Sequence, residues 1–340
     1  SDRFGRKNIM SLAMLLAALF TLAMAFATSF HALLVLRFLT GLVLAGLPAV
    51  AMTYLSEEVE STALASAMGL YISGTALGGM SGRLLSAWAA ESWGSAGAAL
   101  TVGLCGLLAA IGFLLCLPAS RQFHARLLPL TRAGRQAWRS SLLQLLRDPA
   151  LRALWAMGFV FLGCFVGFYN FIGFRLERPP FSWGSLAIGS VFLLYLFGGA
   201  ASAASGRIMR RWGFLPALQV MWLTLIAGVL CTLSSSLVLL LTGMALFTLA
   251  FFAGHALASS AVGLRSQGHQ AMAAAIYLCC YYAGASAFGP LLGWVWHDQQ
   301  WSAVVVALVA AGFIGLWLTS RLGTTGILHY ACAAFQKGSP

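Results

Sequence analysis

The sequence predicts an all-α, polytopic membrane protein built as two helix bundles, and three observations carry that prediction. Of its 340 residues, 60% are hydrophobic and 8% are charged, with a mean hydropathy of +0.88, a balance that soluble domains do not keep. Apolar runs long enough to cross a bilayer of about 30 Å, at roughly 1.5 Å per residue, recur along most of the chain. One long stretch, Pro118 to Arg152, breaks the pattern: it carries Arg121, Arg126, Arg132, Arg135, Arg139, Arg147 and Arg152 against Asp148 alone, and divides the spans into two blocks. The net charge of +12 does not point to nucleic acid, because the basic residues sit in short loops beside apolar runs and set membrane orientation instead.

Ser1 to Lys7 forms a basic flank to a first span, Asn8 to Thr28, which is too long for a signal peptide. A second span, His31 to Leu55, ends at Ser56-Glu57-Glu58. The third, Thr62 to Ala90, places Gly74, Gly78 and Gly82 at intervals of four, a bare helix face against which another backbone can pack. A fourth, Ala96 to Leu117, completes the amino-terminal block of residues 1–117 and leads into a basic cytoplasmic linker, 118–149. Six further spans follow: Ala150 to Phe174, Ser182 to Ser205, Phe214 to Leu233, Leu237 to Ser260, Ala271 to Trp296 and Ser302 to Leu318. They form a carboxy-terminal bundle, 150–321, with a cytoplasmic tail, 322–340. On this topology Arg3, Arg6, Lys7, the linker arginines, Arg207, Arg210, Arg211, Arg265, Arg321 and Lys337 share the cytoplasmic side, and only Arg175 and Arg178 lie opposite.

The halves repeat each other. Gly206-x-x-x-Arg210-Arg211-x-Gly213 echoes the opening Asp2-Arg3-x-Gly5-Arg6-Lys7, and Tyr71-x-x-Gly74 with Gly79 matches Tyr281-x-x-Gly284 with Gly289. The second copy adds a Gly-Pro step, Gly289-Pro290-x-x-Gly293. Such repeats mark two pseudo-symmetric bundles.

The opening Asp2-Arg3-x-Gly5-Arg6-Lys7 resembles the loop signature of the major facilitator superfamily, and Arg37-Phe38-Leu39-Thr40-Gly41 resembles its fourth-helix signature. The Gly74, Gly78, Gly82 face is similar to the antiporter signature without its proline. Met52 to Glu58, Met68 to Gly74, Gly78 to Arg83 and Phe251 to His255 look like bacterial inner-membrane members grouped with drug and sugar efflux proteins. The resemblance implies family helices three to twelve, about ten of twelve spans, with the first two lacking, so that the chain reads as a fragment. It further implies a monomeric secondary active transporter in the bacterial inner membrane, with both ends of this chain cytoplasmic. The expected activity is proton-coupled export of a small drug-like or sugar compound, an antiport, by alternating access in which the bundles rock about a midplane site. Arg6 is expected to meet Glu57 or Glu58, and Asp2 the start of the eleventh family helix near Ala271, as a cytoplasmic latch. The Gly74, Gly78, Gly82 face is expected to pack on Gly198, Gly199, Ala203 and Gly206 of the eighth, with Gly41 also a packing glycine.

Within the spans the ionisable side chains are Arg37, Arg83 and His255, each costly there and a candidate for the cavity or for coupling. For the two arginines the alternative is snorkelling to the headgroups; for His255, beside Ser259 and Ser260, it is a helix-packing hydrogen bond. No Asp or Glu lies deep in a span, which leaves His255 as the visible proton carrier. Tyr54, Tyr71, Tyr169, Tyr277, Tyr281 and Tyr282 are offered either as pocket lining or as packing and interface anchors. No phosphate-binding loop is present, so ATP is not the fuel within this chain. Cys105, Cys116, Cys164, Cys231, Cys279 and Cys280 sit inside spans as small core residues, without metal-ligand spacing, and no cofactor is implied. Two rival readings stand beside transport. One is an intramembrane serine protease, because Gly79-Met80-Ser81-Gly82 with His255 resembles the rhomboid Ser and His; the other is a nonfunctional remnant.

Overall fold

Hydrocarbon offers no partner to a backbone N–H or C=O, so a lipid-embedded chain must satisfy both within each segment. Every regular element among the described residues is accordingly helical. The computed structural model describes residues 5–58, 61–118, 132–266, 269–296 and 300–323. The helices are α1 (Arg6–Met24), α2 (Phe30–Leu44), α3 (Leu47–Glu58), α4 (Ser61–Cys116), α5 (Arg132–Arg147), α6 (Pro149–Leu176), α7 (Ser185–Ser190), α8 (Tyr195–Trp212), α9 (Phe214–Cys231), α10 (Leu237–Arg265), α11 (Gln270–Val295) and α12 (Trp301–Gly323). Among the described residues, eight are long and apolar enough to cross a membrane, with α2 a shorter apolar helix beside them.

Three predicted spans differ in detail. The span over His31 to Leu55 is broken between α2 and α3, at Ala45 and Gly46. The third and fourth spans run as one helical stretch, α4, interrupted at Gly94, whose φ of 70° and ψ of −171° suit a residue without Cβ. The span over Ser182 to Ser205 divides into α7, a 3₁₀ turn at Val191–Leu194, and α8. The basic linker also contains an element that its charge conceals: α5 is strongly amphipathic, although its arginines hold its average hydropathy low.

The described residues group into two compact units, one drawn from Ser1–Pro129 with Gly184–Leu193, the other from Leu130–Trp183 and Leu194–Pro340. In the first, α1 lies along α4 closely enough that a Cβ on Gly103 would meet the Leu22 side chain at 2.7 Å. The Gly184–Leu193 segment joins this unit through Glu91, whose carboxylate accepts the Leu186 N–H at 3.0 Å, and through Gly189, where a Cβ would meet Ala87 at 2.6 Å.

In the second unit α6 is the central helix and packs most extensively on α11, and also on α12 and α10. Its Phe161, Phe165 and Phe168 fall on one stripe by helical spacing. Each stacks on a ring from a neighbour: Phe161 on Trp222 of α9 at 3.8 Å, Phe165 on Phe251 of α10 at 3.9 Å, Phe168 on Phe247 of α10 at 4.1 Å. Stacked aromatic pairs contribute about 0.5–1.5 kcal/mol each beyond area burial. Glycines close the remaining crossings: a Cβ on Gly228 of α9 would meet the Gly243 carbonyl oxygen of α10 at 2.7 Å.

Asp148 fixes the start of α6. One carboxylate oxygen accepts the N–H groups of Ala150 at 2.8 Å and Leu151 at 3.3 Å, while the other accepts Arg265 Nε, at the end of α10, at 2.9 Å. Asn keeps the capping acceptor but loses the ion pair, so the two contributions separate. Asp148→Asn is expected to cost at most about 1 kcal/mol, and Asp148→Ala a further 0.5–2 kcal/mol or so. Thermal unfolding in detergent checks the order, and equal losses in the two variants would show that the cap contributes nothing.

Candidate functional site

Inside the second unit, α10 and α11 bring one ionisable group and two phenols together. His255 on α10 has Nδ1 2.8 Å from the Tyr277 hydroxyl on α11. One turn along α11, the Tyr281 ring stacks on the imidazole at 4.4 Å and 25°. Phe251, one turn back along α10, lies parallel to the imidazole at 6.0 Å. The cluster depends on α6, because Tyr277 lies where a side chain on Gly158 would sit: a Cβ there would meet the ring at 2.8 Å. Gly254, beside His255, likewise makes room for Phe161 at 2.5 Å. The hydrogen bond uses one imidazole nitrogen, whose tautomer decides which partner donates, and leaves Nε2 as a second donor or acceptor.

A second polar group lies along the aromatic stripe. The Tyr169 and Thr248 hydroxyls are 2.6 Å apart, and Thr248 donates to the Met244 carbonyl at 2.7 Å, so Tyr169 donates to Thr248. Tyr195 packs edge-on to Tyr169 at 5.2 Å and against Phe252 at 5.8 Å. From Tyr169 to Tyr281 the second unit therefore holds a continuous run of aromatic rings interrupted by hydroxyls and one imidazole.

A protein-family model described as the Major Facilitator Superfamily matches residues 1–287. The chain belongs to the Major Facilitator Superfamily. It is 41% identical over 322 residues to the uncharacterized MFS-type transporter YybF of Bacillus subtilis (strain 168), covering 95% of this chain and 78% of that one. It is 40% identical over 329 residues to the inner membrane transport protein YnfM of Escherichia coli (strain K12), covering 95% and 77%. In fold it is similar to a bacterial homologue of the human lysosomal transporter Spinster in an inward-facing, unoccupied conformation, with a TM-score of 0.65 at 19% identity over 98% of this chain and 82% of that one. The chain is thus a multi-pass Major Facilitator Superfamily transporter and not an enzyme. In keeping with this, the Ser81 hydroxyl of the protease reading donates to carbonyls of its own helix, Leu77 at 2.8 Å and Gly78 at 3.3 Å.

The superfamily residues distribute unevenly over the structure. Asp2 and Arg3 lie outside the described residues, as does the side chain of Glu57. Gly5, with φ 80°, precedes α1, whose first turn holds Arg6 and Lys7; Glu58 ends α3. Arg37 is exposed at the middle of α2. Arg83 lies within the first unit, its guanidinium 4.9 Å over the Phe192 ring and donating to the Gly79 carbonyl at 3.3 Å. His255 makes an interhelical hydrogen bond, but to Tyr277, since Ser259 and Ser260 donate to the Ala256 carbonyl of their own helix at 3.2 and 2.7 Å.

Among the chosen glycines Gly284 alone meets a backbone: a Cβ there would fall on the carbonyl oxygen of Phe159 in α6. Among the described residues, Gly41, Gly74, Gly78, Gly82 and Gly289 have nothing within 4 Å of an added Cβ, and Gly293 has Phe171 at 3.9 Å. On α8, a Cβ at Gly198 would fall on the Phe252 ring from α10 of its own unit. Pro290 lies inside α11 and supplies no N–H to the Ser286 carbonyl. Of the tyrosines, Tyr54 is a packing residue, its hydroxyl donating to the Pro118 carbonyl at 3.0 Å. Sequence reading passed over Gly158, Gly163 and Gly167, which receive Tyr277, Phe288 and Leu292 of α11. Their spacing of five and four in an apolar helix is the signal that could have found them.

Proposed function

We propose that this chain is a proton-coupled secondary transporter that exports a small organic compound from the bacterial cytoplasm by alternating access, working as a monomer in the inner membrane. One observation carries the reading: within the described spans the titratable base set among the helices is His255, hydrogen-bonded to Tyr277 at 2.8 Å and stacked on Tyr281. An imidazole changes charge between about pH 5 and 8, and an ionisable group inside a membrane domain is retained at a cost that function repays. The neighbouring rings of Phe251, Phe252, Tyr195 and Tyr281 favour an amphipathic aromatic substrate over a sugar, since sugars need several polar groups to replace water.

Cells expressing the protein and preloaded with a panel of fluorescent aromatic cations, aromatic acids and radiolabelled sugars test the proposal. Expression should lower steady-state accumulation of at least one aromatic compound, and a protonophore should abolish the difference. Loss of the difference on ATP depletion with the proton gradient held constant would contradict it.

A further inference from the structure

We propose that α5 is an interfacial helix that binds the headgroup layer of an anionic leaflet, a lipid-recognition surface distinct from the transport site. Covalent geometry places it at the boundary between membrane and water. It ends at Arg147, Asp148 is the single residue between, and the membrane-crossing helix α6 begins at Pro149. α5 packs on α6, and Leu145, 5% exposed, is the residue it turns inward.

Three large apolar side chains among its described residues are uncovered: Trp138 is 59% exposed, Leu143 43% and Leu146 41%. At about 3.6 residues per turn, Leu143 and Leu146 share a side of the helix with Arg139 and Arg147, both exposed. An indole and two leucines suit the boundary between headgroups and acyl chains. Guanidinium groups beside them can reach up to phosphate, which they bind in a bidentate fork.

Charge selects the occupant. The α5 sequence has four arginines and no acid. The nearest carboxylate in sequence, Asp148, is engaged by the α6 N–H groups and by Arg265. A surface of this composition favours anionic lipid over zwitterionic lipid, whose headgroups carry no net charge to offset the arginines.

Hydrogen exchange read by mass spectrometry decides the matter, using the whole chain in nanodiscs of phosphatidylcholine alone or of phosphatidylcholine with phosphatidylglycerol. Amides of residues 132–147 should exchange more slowly in the phosphatidylglycerol bilayer, by roughly fivefold per arginine engaged, and added salt should erode the difference. The double variant R139E/R147E should remove most of it while leaving exchange in α6 unchanged. Equal exchange in the two bilayers, slowing that survives R139E/R147E, or protection in phosphatidylcholine that grows with protein concentration would each overturn the proposal; the last would assign the face to a second copy. Should the double variant fail to insert, the salt titration of the unaltered chain decides, and a phosphatidylglycerol effect indifferent to salt would overturn it.

Discussion

Gly284→Ala is expected to cost about 3 kcal/mol and to strip most of the folded protein from detergent extracts. The added carbon would fall on the Phe159 carbonyl oxygen and lie 2.7 Å from its carbonyl carbon. Backbone cannot rotate aside as a side chain can, so α6 and α11 must separate along a crossing where Gly158, Gly163 and Gly167 also receive α11 side chains. Overpacking usually costs about 1–3 kcal/mol, and a clash that moves two whole helices belongs at the upper end. Gly289→Ala on the same helix is the control: nothing lies within 4 Å of its Cβ, and its effect should stay within about 0.5 kcal/mol. Size-exclusion recovery and thermal unfolding separate the two, and similar losses would mean that α11 is held by something other than this close approach.

His255→Ala is expected to flatten the pH dependence of transport while leaving the amount of inserted protein within about twofold, since an interhelical hydrogen bond in a membrane is worth only about 0.6–2 kcal/mol. Tyr277→Phe removes the same hydrogen bond, 2.8 Å long, and keeps the imidazole. If His255 serves coupling, only the alanine variant loses the pH response; if it serves packing, both variants lose protein alike and keep the profile. An unaltered profile with reduced yield in His255→Ala settles the question for packing.

Lipid makes the coarse fold legible. Each crossing must satisfy its backbone groups internally, within apolar helix, so α6, α9, α10, α11 and α12 follow the predicted spans to within a few residues. The breaks are less legible in hydropathy, because Ala45-Gly46 and Val191–Leu194 are as apolar as their flanks; at the first, Gly46 and Pro48, which has no N–H to give the Leu44 carbonyl, are the local signal. α5 escaped because arginine dominates its hydropathy while the amphipathic pattern lies beneath it. The glycine faces show the limit most clearly: Gly284 meets the Phe159 backbone, and its Tyr-x-x-Gly spacing states that an approach is possible and not what approaches. His255 was legible as an ionisable residue in a span, but its partner 22 residues away was not, because that pairing depends on the crossing of α10 and α11.

The most direct test of proton-coupled transport is a flux measurement on the purified chain in proteoliposomes that enclose a pH indicator and are energised only by an imposed pH gradient. Addition of an aromatic substrate identified in cells should move protons across the membrane at a rate that rises with substrate and saturates, with no nucleotide present. It should also drive substrate against its own gradient until the pH gradient collapses. Substrate that equilibrates without moving protons, or moves only when ATP is supplied, would contradict the account.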